Sequence, residues 1–110
     1  MSEPVNEVHL RGRVSGSAGE RELPSGDRVA SVRLVVDRPT ESRARQRVDV
    51  IDCAAWSARL RRSLLAWAPG DVVEVSGALR RRFYRAGGVT ASRAEVEIRS
   101  ARRIGRRRSA

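Results

Sequence analysis

At 110 residues the chain is long enough for one domain with a single modest core and too short for two. Its 23 basic residues, all arginine, outnumber 13 acidic ones and leave a formal charge of +10, which points to an anionic polymer or surface as partner. One cysteine excludes an intramolecular disulfide, one histidine without a Cys–His cluster excludes the common zinc sites, and no apolar run nears the roughly 20 residues that cross a bilayer.

The charge is unevenly placed. Residues 1–56 hold nine arginines and nine acids, which cancel; residues 57–110 hold fourteen arginines against Asp71, Glu74, Glu95 and Glu97. All-arginine usage has an ordinary source in genome composition, yet guanidinium stacks on rings and forks onto phosphates as ammonium does not.

Val8, Leu10, Gly12 and Val14 alternate with His9, Arg11 and Arg13, which predicts a first strand. Leu23-Pro24-Ser25-Gly26-Asp27 is turn chemistry and closes a hairpin. In the second strand Ala30, Val32, Leu34 and Val36 face inward and Ser31, Arg33 and Asp37 outward, while Val29 and Val35 make the outer face partly apolar. Arg38 to Arg47 is a charged loop without core residues, expected to cap a long hairpin. Strand three runs from Val48 to Trp56 with apolar residues on both faces, so its core face is left open.

Ser57 is a candidate N-cap, and Leu60, Leu64 and Trp67 recur at helical spacing until Ala68-Pro69-Gly70 stops the helix. In strand four Val73, Val75 and Leu79 point one way, and Glu74, Ser76, Ala78, Arg80, Arg82 and Tyr84 the other. Gly77 marks a bulge, bend or close backbone approach within it. Ala86-Gly87-Gly88 makes the next turn, Val89 to Ile98 is strand five, and the stretch from Arg99, rich in arginine and free of acid, is expected to be a disordered basic tail. The expected domain therefore spans 1–100 and the tail 101–110.

Five strands with one short helix between the third and fourth is an all-β arrangement, the OB-fold Greek-key barrel, with an SH3-like barrel or a split sheet as rivals. The helix position argues against the SH3-like barrel.

Nothing in the sequence argues for an enzyme, a metal or a cofactor. There is no GxxxxGK[ST] or GxGxxG phosphate loop, and the pairs Asp49 with Asp52 and Glu95 with Glu97 read as solubility on strand surfaces. His9 reads as a solvated side chain or one near nucleic acid. Among the aromatics, Trp67 belongs to the core side of the helix. Trp56 suits core packing or base stacking equally. The phase of strand four sends Phe83 inward and Tyr84 outward beside Arg80 and Arg82, where an aromatic flanked by cations makes a stacking platform. Arg85 adjoins that unit, whereas Arg59, Arg61 and Arg62 read as a solvated helix face. The buried Cys53 reads as an inert thiol in a reducing compartment, and the start Met1-Ser2-Glu3-Pro4 carries no signal-peptide pattern, so a cytoplasmic, nucleoid-associated location is expected.

The run Asn6-Glu7-Val8-His9-Leu10-Arg11-Gly12, then Leu23-Pro24-Ser25-Gly26 with Val29-Ala30-Ser31-Val32-Arg33-Leu34, then Trp56, then Gly70-Asp71-Val72-Val73-Glu74-Val75-Ser76-Gly77-Ala78-Leu79-Arg80 and Glu95-Val96 resembles the bacterial single-stranded DNA-binding protein family. The resemblance spans nearly the whole chain to about Ile104. It implies an OB-fold that assembles, commonly as a homotetramer and otherwise as a dimer. It also implies non-catalytic, sequence-independent binding of single-stranded DNA in replication, recombination or repair. By position Trp56 and Tyr84 fall on base-stacking aromatics of the family; Arg80, Arg82, Arg85, Arg11, Arg13 and Arg33 are the candidate phosphate contacts.

Departures are specific. Asp37-Arg38-Pro39-Thr40 and Val50 stand where the family often has tryptophans, and Asp52 where it often has a basic residue. The chain ends in Arg106-Arg107-Arg108-Ser109-Ala110, opposite in sign to the family's acidic tip, so it is expected not to recruit partners in the usual way and to be a specialised paralogue. Two rival readings use the same barrel: a protein-interaction subunit of a replication-restart or repair complex, and an RNA-binding module.

Overall fold

The computed structural model describes residues 2–39 and 45–106. Its elements follow in the order β1 (Val8–Glu22), β2 (Arg28–Asp37), β3 (Val48–Ala55), α1 (Ala58–Leu65), β4 (Val72–Ala86) and β5 (Val89–Gly105). The strands close into a barrel in the spatial order β1-β2-β3-β5-β4, with β4 returning to β1. Every neighbour is antiparallel except β3 and β5, which run parallel at Cys53–Val96 and Ala54–Glu97. This is the OB-fold, and barrel closure removes the split-sheet rival.

Closure depends on β1 serving two neighbours. Val8 to Arg13 pair with β4, and Arg13 to Glu22 pair with β2. Between Ser15 and Gly19 the register slips, and Gly16 takes a φ of 73°, a left-handed conformation open to glycine. The bend lets one continuous strand turn the corner, so β1 runs well past the expected Val14.

The predicted inner faces meet in the barrel. Val14, Ala30, Val32, Leu34, Val73 and Val75 are buried together with Val96 and Ile98. Each fully buried side chain of this size contributes about 1.5–3 kcal/mol. Strand three resolves its ambiguity here: Cys53 and Ala55 join the core with Ile51 against it, and Val50 on the other face is exposed.

The helix closes one end. Ser57 accepts a hydrogen bond from the Leu60 backbone N–H at 3.2 Å, an N-cap in extended conformation. Leu64 and Trp67 enter the core, as their spacing predicts. Beyond the helix the buried Asp71 carboxylate accepts from the Ala68 backbone N–H at 2.9 Å and fixes the Pro-Gly-Asp turn.

β4 and β5 continue beyond the barrel as a two-stranded arm. Pairing of β4 with β1 ends at Gly77, whereas pairing with β5 runs on to Ala86–Val89. Gly87 and Gly88 turn the arm with φ of 58° and 81°, the signature of a type I′ hairpin. Leu79 and Phe83, expected to point into the core, are 51% and 70% exposed. The ladder slips between Ser76 and Gly77, so the buried side passes to Ala78, expected to face outward and 0% exposed, while Leu79 and Phe83 turn away from the core and have no β1 beside them.

β5 runs past residue 100, where the domain was expected to end, to Gly105, with Ala101, Arg102 and Arg103 opposite Val75, Glu74 and Val73. The ladder slips between Ser76 and Gly77 and again between Val72 and Val73. Ile98 and Ala101, three residues apart, therefore both lean on the core, and period two is lost from the sequence. Residues 107–110 of the expected tail and 40–44 of the expected charged loop lie outside the described residues. Among the described residues no helix is long and apolar enough to cross a membrane.

Candidate nucleic-acid interface

The outer faces of β2 and β3 and one face of the arm form the two sides of a groove. Its volume is ≈400 Å³. Val29 and Ala54, both buried, form its floor; Trp56, Phe83 and Tyr84 line its walls; Arg21, Arg82 and Arg93 stand around it with Glu95. A second hollow of ≈300 Å³ shares Ser31, Arg93 and Glu95 with the first and reaches Arg33, Asp52 and Gly16 at the bend of β1. The two make a continuous track across the sheet.

Strand geometry explains the convergence. Ser31 is opposite Ala54, and Arg33 is opposite Asp52, across the β2–β3 ladder. Arg80, Arg82 and Tyr84 are opposite Glu95, Arg93 and Ala91 across the arm. Opposed residues of a ladder share a face, so each pair contributes to the same side of the track.

Trp56 just beyond β3 is held from below by the helix. Arg61 donates to the Trp56 carbonyl, bonds Glu20 at 3.1 Å and reaches the Arg28 carbonyl at 3.5 Å. Arg61 is therefore a structural tie between β1, β2 and the β3–α1 junction, not the solvated residue its sequence context suggests. Above, the Arg82 guanidinium lies 5.3 Å from the centre of the Trp56 ring, a cation–π contact. Tyr84 is 47% exposed across the groove.

The groove arginines are ion-paired. Arg82 donates to Glu95 at 2.5 Å, Arg80 to Glu97 at 3.1 Å and Arg33 to Asp52 at 3.0 Å. The carboxylates of both strand-surface pairs are thus engaged by guanidinium groups, with Asp49 bonded by Arg38 at 2.7 and 3.1 Å. That contact draws the Asp49 pKa below its ordinary value. Among the described residues no group of three or more His, Cys, Asp or Glu could hold a metal ion. Burial, with the charges of Asp52 and Glu95, pushes the Cys53 thiol up to about 12, so it stays protonated and unreactive beneath the groove.

Of the residues singled out from sequence, Trp56, Tyr84 and Arg82 converge on the groove, Arg80 flanks it and Arg33 lies in the adjoining hollow. Arg85 alternates to the other face of the arm and reaches the Thr90 hydroxyl at 3.4 Å. Arg11 and Arg13 stand apart. Arg11 grips Glu74 at 2.7 and 3.0 Å, and Arg13 grips Asp37 at 2.9 and 3.2 Å; neither lines the groove. His9 is exposed beside Glu74 at 3.2 Å, on the same ladder as Arg11.

Sequence reasoning missed Arg21, Arg93 and Phe83. Arg21 lay beyond the expected end of β1, and Phe83 was sent to the core. Arg93 could have been found by pairing strand five back from the Gly87-Gly88 turn, which sets it opposite Arg82.

Residues 5–104 match the model of the single-strand binding protein family. No curated protein matches the chain. Among solved structures it is similar to one described as Plasmodium falciparum SSB in complex with ssDNA, with a TM-score of 0.74 and 19% identity, covering 96% of this chain and 97% of that one. At that identity the likeness bears on the fold.

Proposed function

The chain belongs to the single-strand binding protein family, a non-enzymatic family that binds single-stranded DNA, and on that premise we propose that the strand lies along the groove between the β2–β3 face and the arm. The observation that carries this placement is the meeting of Trp56 and Tyr84, from two separate elements, around one cavity bordered by arginine. Rings of this kind take unstacked bases of any identity, so recognition is sequence-independent.

Two stacking rings supply about 2–6 kcal/mol, short of the roughly 8 kcal/mol of micromolar binding. Phosphate contacts by Arg33, Arg80, Arg82 and Arg93 supply part of the remainder. Linked barrels supply more through effective concentration, which favours a homo-oligomer, tetramer or dimer, as the working form. Service in replication, recombination or repair, in the cytoplasm at the nucleoid, is the role this chemistry suits.

Titration of intrinsic tryptophan fluorescence with oligo-dT at low salt tests the reading, with the matching duplex and oligo-U as competitors. Quenching by oligo-dT that the duplex fails to reverse is the expected result. Absence of binding at low salt, or a preference for duplex, overturns it.

A further inference from the structure

On the reading that this groove takes a single strand, its arginines are already engaged before any strand arrives. Asp52, Glu95 and Glu97 hold Arg33, Arg82 and Arg80 at 3.0, 2.5 and 3.1 Å. Glu97 also reaches Arg82 at 3.6 Å, and Glu95 reaches Arg93 at 3.9 Å through its other oxygen. The Glu95 side chain is only 6% exposed, yet both of its oxygens meet guanidinium groups. The grip also sets Arg82 over the Trp56 ring, on a surface a base would use.

We propose that Glu95 and Glu97 stand in for DNA phosphate in the free protein: they hold Arg82 over Trp56, and an incoming strand exchanges them, its phosphates taking Arg80 and Arg82 while a base takes the ring. Carboxylate and phosphodiester compete for the same planar fork. The outer pairs are about a third exposed and yield at little cost, because ion pairs open to solvent are worth little.

Exchange makes the groove selective. A lone anion replaces one carboxylate and leaves the others in place. A strand brings phosphates in series together with unstacked bases, and so displaces the set. A duplex offers the phosphates but keeps its bases from the ring.

Exchange also leaves a signature in salt. A phosphate contact on a single strand ordinarily contributes about −0.7 to the slope of log affinity against log salt. A carboxylate set free by that contact collects a cation, which offsets the release and flattens the slope.

The test compares the unmodified protein with Glu95→Gln and Glu97→Gln. Each is titrated with oligo-dT and, in parallel, with inorganic polyphosphate across a salt series, and acrylamide quenching is recorded for the free proteins. Neutralising a carboxylate is expected to tighten both ligands about two- to fivefold at low salt. The slope should steepen by about 0.7 for each arginine released. Acrylamide should quench free Glu95→Gln more readily as Arg82 leaves Trp56. Glu97 is 31% exposed, so Glu97→Gln carries the test even where Glu95→Gln fails to fold. Unchanged or weaker binding with an unchanged slope in Glu97→Gln overturns the exchange. Loss of oligo-dT binding alone, with the polyphosphate response intact, overturns the single-strand reading and supports the exchange.

Discussion

The Asn6 side chain closes a two-point hydrogen-bonded ring with the Leu79 backbone: its amide nitrogen donates to the Leu79 carbonyl at 2.8 Å, and its oxygen accepts from the Leu79 N–H at 2.8 Å. Backbone pairing of β1 with β4 stops at Val8–Gly77. Asn6 therefore adds one more rung to the ladder with a side chain, at the root of the arm that carries Arg80, Arg82 and Tyr84.

Asn6→Ala removes both bonds and is expected to cost about 1 kcal/mol, the net worth of such contacts near solvent. The local effect should exceed the global one, with hydrogen exchange at the Leu79 amide accelerating more than exchange in the barrel. Asn6→Asp keeps the acceptor but turns an oxygen toward the Leu79 carbonyl. It should be the worse of the two at neutral pH and recover on acidification.

Gly77 is demanded by contact, not by conformation. A Cβ there would lie 1.9 Å from the Glu97 carbonyl oxygen and 2.8 Å from its carbon, both backbone atoms with no freedom to yield. Gly77→Ala must push β5 away from β4 at the bulge where the arm begins. A loss of about 3 kcal/mol or more in urea denaturation is expected, at the upper end of overpacking costs. Gly19→Ala is the control: nothing lies within 4 Å of a Cβ there, and stability should stay within about 0.5 kcal/mol.

Gly77 also shows where the sequence could and could not be read. Its place in a strand announced a bulge or close approach, and the alternation around it placed Arg80, Arg82 and Tyr84 on one face, as the arm ladder confirms. That β4 outlives its neighbour β1 was not written in β4. The fate of Leu79 and Phe83 depends on the slip beside Gly77, which hands the buried side to Ala78, and on what lies opposite, and the alternation of β4 settles neither. The end of β5 was hidden for a related reason: the slip beside Ser76 moves Ile98 and Ala101 out of period two. Arg61 was misread because a helix arginine gives no local sign of the carbonyls and carboxylate that converge on it from three distant segments.

Arg61 yields a prediction of its own. Arg61→Met keeps most of the apolar stem but leaves the Trp56 carbonyl and Glu20 without this donor. A loss of about 1–3 kcal/mol in stability is expected. Trp56 fluorescence anisotropy should fall, and oligo-dT affinity should fall less than in Trp56→Ala. Arg61→Lys should recover only part, since one ammonium cannot span the contacts of a planar fork. The exposed Arg59, changed to Ala, should move stability by no more than about 0.5 kcal/mol. Equal effects at the two positions would reduce Arg61 to helix-surface charge.

The final prediction concerns acid. Glu74 is drawn down from its ordinary 4.5 to about 2, first by the hydrogen bonds from Arg11, then by His9 and Arg102. A carboxyl whose folded pKa lies below its unfolded value contributes stability that is present above the unfolded pKa and lost as pH falls through the folded one. The Tm of the protein should therefore decline between about pH 4.5 and about pH 2. Glu74→Gln should melt lower at neutral pH, show a shallower decline through that window, and meet the unmodified curve at its acid end. Some slope will survive, because Arg13 and Arg38 hold Asp37 and Asp49 below their ordinary values by the same kind of contact. An acid limb of identical slope in Glu74→Gln would mean that the cluster on the β1–β4 flank contributes nothing to it.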